Sequence, residues 1–141
     1  MMQGVSFDNK HSYRTWKLLM KSKPTISPPT PKTKLIQVPG TNTVIDLTEA
    51  LTGEVKYEPR TIRCVFCVIG GRQKWPAVYS AVLNEIHGKR MKIVMDDDPN
   101  YYYIGRVAVN QWDSDEASAT IVVTAEVEPY KRARYGEGRR L

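Results

Sequence analysis

Two stretches of the chain alternate apolar and polar side chains with a period of two, and this pattern restricts the fold more than any other feature. Across residues 61–68, Ile62, Cys64, Phe66 and Val68 fall on one side, with Thr61, Arg63, Val65 and Cys67 on the other. Across residues 118–128, Ala119, Ile121, Val123, Ala125 and Val127 alternate with Thr120, Val122, Thr124 and Glu126. Successive side chains of a strand point to opposite faces, so each run reads as a strand with one buried face. Shorter runs rich in β-branched, aromatic and aliphatic residues predict strands at 4–7, 13–20, 34–38, 43–47, 90–95 and 102–109. Residues 75–87 switch to helical spacing, with Trp75, Val78, Tyr79, Val82 and Ile86 on one stripe. Pro76 suits the first turn of that helix, and Gly88 the position just past its end. About seven or eight strands with one helix predict a mainly β (α+β) domain, a β-sandwich or open barrel with the helix packed on it.

A chain of 141 residues is long enough to bury a core without disulfides or metal. No run approaches the ~20 apolar residues of a spanning helix, so membrane insertion is not expected. The first residues lack a basic segment followed by an apolar one, which predicts no secretory signal. Residues 23–32 hold four prolines in ten positions, an extended connector rather than sheet core. Pro39-Gly40 between two apolar runs signals a turn. After Tyr130 little remains to bury. The expectation is one domain over 1–130 and a basic, fraying, flexible tail over 131–141, with no second C-terminal domain.

The net charge of +6 brings nucleic acid to mind, but its distribution points elsewhere. Seven basic residues and no acidic ones lie between Asn9 and Leu35, and five basic residues follow Pro129 against Glu137 alone. Between Ile36 and Pro129 there are nine basic and thirteen acidic residues. An acidic body with basic ends fits solubilising or docking ends better than a phosphate-reading surface, so sequence-specific nucleic-acid binding is not expected.

The motifs that could carry chemistry each have a structural explanation. Cys64-Val-Phe-Cys67 matches C-x-x-C, yet its flanks are strand-like, which places the two thiols on opposite faces; no H-x₃₋₅-H pair completes a zinc site. Both cysteines are expected to be buried structural thiols. Asp96-Asp97-Asp98-Pro99-Asn100 fails the EF-hand pattern, since its sixth and twelfth positions are Tyr101 and Val107. That leaves a tight turn or an irregular cation site. Ser80 and His87 lack a nucleophile setting, and Gly70-Gly71 lacks the phosphate-loop ending. Tyr101-Tyr102-Tyr103 fits stacking on bases or, equally, core packing and subunit contact. No enzyme activity, cofactor or metal is expected.

Taken in order, the chain reads Val38-Pro39-Gly40, Asp46-Leu47-Thr48-Glu49-Ala50, Thr52-Gly53, Tyr57 with Arg60, and a β run through Val65-Phe66. An amphipathic helix ending Asn84-Glu85-Ile86-His87-Gly88-Lys89 comes next. Asp96-Asp97-Asp98-Pro99, Tyr102-Tyr103-Ile104-Gly105-Arg106 and Glu128-Pro129-Tyr130-Lys131 complete the series. This succession, over residues 3–131, resembles the N-terminal domain of the distal tail protein of bacteriophages, or prophages, with long, non-contractile tails. The resemblance implies a tail-tube-like fold and a ring, six-membered in this family, at the far end of the tail. Its implied partners are itself, the tail-tube protein, the tail-tip hub or baseplate proteins and the tape-measure protein, around a channel for DNA. The implied location is the virion, after assembly in the host cytoplasm. Family members often carry a second domain that binds carbohydrate; this chain ends at Leu141, so sugar binding is not carried over. A single-stranded nucleic-acid-binding module and a ring at the head–tail end are the competing readings.

The residues singled out are structural. They are Pro39 and Gly40 at the turn, Asp46, Arg60, Trp75 at the helix start, Gly88, Asp98, Pro99, Tyr102, Gly105 and Arg106. Asp96–Pro99 is expected to turn the chain into the Tyr102–Arg106 strand, and Arg106 to pair with Asp98 or Glu49. Gly88 and Gly105 are expected to serve positive φ or a close backbone approach.

Overall fold

The computed structural model describes residues 4–49, 53–115 and 118–141. The chain begins with a hairpin of β1 (Val5–Phe7) and β2 (Lys10–His11), followed by α1 (Ser12–Trp16), β3 (Leu18–Met20) and β4 (Thr25–Ile26). A second hairpin, β5 (Leu35–Gln37) and β6 (Val44–Asp46), precedes the long β7 (Arg60–Val68) and α2 (Trp75–Ile86). The remainder is β8 (Arg90–Met95), β9 (Tyr101–Ser114), β10 (Ala119–Val127), β11 (Lys131–Ala133) and β12 (Arg139–Arg140).

The main sheet is antiparallel, in the order β2-β1-β8-β9-β10-β7-β3, with β4 beside β3 on the same edge of β7. It curls into half a barrel, the mainly β architecture expected. Its inner face carries the core: Phe7, Leu18, Ile62, Phe66, Ile93, Val107, Ile121 and Val123 are all buried. The alternation read in β7 and β10 holds except at Val122, which is buried although it falls on the outer face, and the two strands pair Phe66 with Ile121 and Cys64 with Val123. Between β7 and β8, α2 crosses over the inner face and buries Trp75, Val82 and Ile86. A fully buried Phe or Ile is worth about 1.5–3 kcal/mol, so this face supplies most of the driving force for folding.

Four differences from expectation have physical causes. Residues 13–20 are not one strand but a helical turn followed by a strand. Nδ1 of His11 accepts the N–H groups of Tyr13 and Arg14, capping α1, and Lys17 takes a left-handed conformation that ends it. Trp16 is thereby packed 6.4 Å from Phe7, a gain a strand would forfeit. β9 continues five residues beyond the expected Val109, because a bulge at Asn110 lets Gln111 and Trp112 resume pairing with Val122 and Ile121. Part of the proline-rich connector joins the sheet edge. Thr25, Ile26 and Ser27 lie between prolines and retain their N–H groups, and Ser27 donates to the Thr61 carbonyl. The segment after Tyr130 folds back as β11 and β12 instead of trailing away, with Arg132 opposite Tyr102. It stays largely exposed and is held by cations on rings: Lys131 and Arg140 over Tyr101, and Arg139 over Tyr130.

Candidate functional site

The largest departure from globular economy is the excursion between Thr30 and Glu58. Its base is a short ladder: Lys32 donates to the Lys56 carbonyl, Glu58 to that of Thr30, and Pro31 bridges Tyr57. Beyond the base, β5 and β6 pair only with each other in a two-stranded sheet, with Ile36 opposite Ile45 and Gln37 opposite Val44. Pro39 and Gly40 turn the tip. Gly40 has φ +76°, and the Val38 carbonyl accepts both the N–H and the hydroxyl of Thr41. At the far end of β6, Asp46 accepts the backbone N–H of Thr48 at 2.9 Å and also its hydroxyl. Those two bonds hold the Asp46 carboxyl below the usual carboxylate range. Every residue of both strands is exposed, including Leu35 (60%), Ile36 (43%), Val44 (55%) and Ile45 (45%).

Because side chains alternate, Ile36 and Ile45 lie on one face of this ribbon and Leu35 and Val44 on the other. Only the Ile36–Ile45 face is apolar throughout, since Leu35 pairs with Asp46 and Val44 with Gln37 on the other; such a two-stranded ribbon cannot bury its apolar side chains against itself, and alone it is only marginally stable. An exposed apolar surface of this kind is a candidate interaction site. These four residues were missed by the sequence reading. The usable signal was the lack of polar alternation on either side of Pro39-Gly40.

The singled-out residues fall in several places rather than one. Pro39, Gly40 and Asp46 belong to the ribbon. Asp98 and Pro99 lie in the β8–β9 turn, where Asp98 pairs with Lys131 and the Pro99 carbonyl accepts Arg134 Nη1 at 2.9 Å. Tyr102 is on the outer face with the Lys92 ammonium 5.2 Å from its ring. Arg60 is buried: it donates through Nε to the Ser27 carbonyl at 2.9 Å and covers the Tyr103 ring, fastening the connector to the sheet. Trp75 starts α2, buried beneath Arg72, and its indole N–H has no hydrogen-bond partner among the described residues.

Gly88 takes φ +77° just past α2, and its N–H donates to the Val107 carbonyl at 2.7 Å. Gly105 needs no positive φ. A Cβ there would lie 2.6 Å from Val127 Cγ1 and nearer still to the Glu126 carbonyl oxygen, so its role is close backbone approach. The expected ion pair of Arg106 is not formed: this exposed side chain donates to the Gly88 carbonyl at 2.7 Å, while Asp98 is engaged by Lys131. Arg106 therefore secures the helix end instead of neutralising a carboxylate.

The remaining sequence motifs resolve structurally. Cys64 is buried, its thiol pushed up to about 12 by desolvation, whereas Cys67 is only half-buried on the outer face, so the two do not form a pair. Asp96 accepts the N–H of Gly4 and bonds Nε2 of His11, each at 2.8 Å, which ties the start of β1 to the β8–β9 turn. Nδ1 of His11 is occupied as an acceptor, so Nε2 carries the proton given to Asp96. Nothing in the sequence spacing announces this bond.

No family model matches the chain, and no curated protein matches it in sequence. Its fold does match a known structure, that of SPP1 Dit, described as a paradigm of the hub adsorption apparatus in phages infecting Gram-positive bacteria. The TM-score is 0.74 at 11% sequence identity. The match covers 94% of this chain and 53% of that one, so this chain spans about half the length of that protein. The two share a fold.

Proposed function

We propose that this chain is a structural protein of a bacteriophage tail that assembles with itself into a closed, six-membered ring at the distal end. There it joins the tail tube to tail-tip hub or baseplate proteins and leaves a channel for DNA and the tape-measure protein. The observation that carries this reading is the projecting ribbon with exposed Leu35, Ile36, Val44 and Ile45, on a domain that shares its fold with a protein of a phage hub adsorption apparatus. A ribbon that lands on a different patch of the next copy makes a head-to-tail interface, and such interfaces close into rings when the rotation allows. The sheet also leaves β3 and β4 at one edge and β2 at the other, and open edges accept further strands.

The role is one of architecture, not catalysis. Antibody labelling of tailed particles made from the genome that encodes this chain tests its place. The proposal expects gold at the tip farthest from the head. Label at the head–tail junction would favour the proximal ring, and no label on particles would refute a virion role. The single-strand-binding reading gains the clustering of Tyr101, Tyr102 and Tyr130 with basic side chains. It loses ground because those rings already carry this chain's own cations.

A further inference from the structure

We propose that the C-terminal segment aims the ribbon: Tyr130 and Arg139 form a strut against the base of the excursion and fix the direction in which β5 and β6 project. The strut is a property of the single chain, and only its consequence for assembly rests on the reading above.

Among the described residues little else sets that direction. The two strands pair only with each other, and all their residues are exposed. At the base, Lys32 donates to the Lys56 carbonyl and Glu58 to that of Thr30, each at 2.7 Å. Those bonds join the outgoing chain to the returning one. Both lie within the excursion, so they fix its pairing and not its angle to the main sheet.

The angle is held by side chains. Tyr57, opposite Pro31 on this ladder, meets Tyr130 edge-on, with ring centroids 6.1 Å apart and planes at 86°. An edge-to-face pair is directional, so it constrains orientation as well as distance. Arg139 of β12 covers the same tyrosine, its guanidinium carbon 4.4 Å from the ring centroid. Glu54 feels both sides of this joint: the hydrogen bond and charge of Lys56 hold its carboxyl below the ordinary range, and the charge of Arg139 adds to that.

The ring that Tyr57 leans on is itself anchored. Arg60 donates through Nη1 to the Pro129 carbonyl at 3.4 Å and through Nε to the Ser27 carbonyl at 2.9 Å. One buried guanidinium therefore holds both the residue before Tyr130 and the connector that leads into the excursion. Beyond Tyr130, β11 pairs with β9 and carries the segment back onto the sheet. The Tyr57–Tyr130–Arg139 stack is where this anchored segment reaches the ribbon's base.

Single-molecule energy transfer with fluorescence lifetimes tests the strut at a dilution that keeps copies apart. One dye sits on native Cys67 and one on Asn42→Cys at the exposed tip, while Cys64 stays buried and unlabelled. The otherwise unmodified chain is expected to give one narrow distance distribution. Tyr130→Ala and Arg139→Ala, shown to fold by circular dichroism melts, are each expected to abolish it. Tyr130→Phe and Arg139→Lys keep the ring and the cation and are expected to retain it. Arg132→Ala, in the same hairpin but bonded to Glu128, is expected to retain it too. Folded alanine variants with the narrow distribution intact, a broad distribution without them, or equal broadening by Arg132→Ala would overturn the strut. Sedimentation velocity addresses the consequence separately. The two alanine variants are expected to assemble severalfold more weakly, because a freed ribbon must be ordered on contact. Broadened distances with unchanged assembly would uphold the strut and overturn the ribbon's part in assembly.

Discussion

Replacing Ile36 and Ile45 with threonine separates the ribbon's contribution to assembly from any contribution to folding. The two face each other across the hairpin, each a little under half exposed, and neither belongs to the buried core. Threonine keeps the β-branched shape that suits a strand, so the hairpin itself should persist. Burying a whole isoleucine side chain is worth about 1.5–3 kcal/mol. Two that are roughly half exposed therefore contribute about 1.5–3 kcal/mol when a neighbour covers them. That corresponds to about 10–150-fold in the association constant for each contact between copies. The domain's own stability should change little, since surface substitutions away from the core stay within about 0.5 kcal/mol, or about 2–3 °C in melting temperature. Sedimentation velocity across a concentration series reads the first quantity, and calorimetry the second. A double variant that melts well below the parent while assembling normally would refute the reasoning, because it would place the ribbon against its own domain.

Other predictions follow from single contacts. Gly105→Ala drives a Cβ into the Glu126–Val127 backbone and should cost at least about 2–3 kcal/mol in urea unfolding. Gly88→Ala meets no neighbour and bears only its positive φ, so about 1–2 kcal/mol is expected; equal costs would contradict this distinction. In the native chain at pH 8, a thiol reagent should modify Cys67 and leave Cys64, which burial keeps protonated; rapid reaction of both would show an open core. The hydrogen bond and charge of Lys10 hold the Glu85 carboxyl below its ordinary value. Because the folded value is depressed, the Lys10–Glu85 contact stabilises the fold above the ordinary glutamate range and is lost as pH falls through the depressed value. Lys10→Ala should raise the Glu85 midpoint in an NMR titration, and an unchanged midpoint would dismiss the pair.

The parts of the fold legible in the sequence are those set by side-chain period. β7, β10 and α2 read correctly because half of each element is buried against a continuous core, which forces the apolar residues into register. Elements held by single polar contacts were hidden. A histidine caps α1 through Nδ1, an arrangement outside the usual Ser, Thr, Asp and Asn signals, so Tyr13–Trp16 read as strand. β11 and β12 are held by arginine and lysine over tyrosine, which sequence hydropathy counts as solvent-seeking. In the candidate interface, the Pro39-Gly40 turn was evident. The exposure of Leu35, Ile36, Val44 and Ile45 was not, because an apolar strand carries the same pattern whether its own domain or another copy covers it.

The central claim is self-assembly into a closed ring, and native mass spectrometry of the unmodified chain addresses it most directly. The account predicts one dominant species of six copies, about 97 kDa for a 16.1 kDa chain, that stays closed as concentration rises. A monomer at every concentration, or a ladder of masses growing without limit, would contradict it.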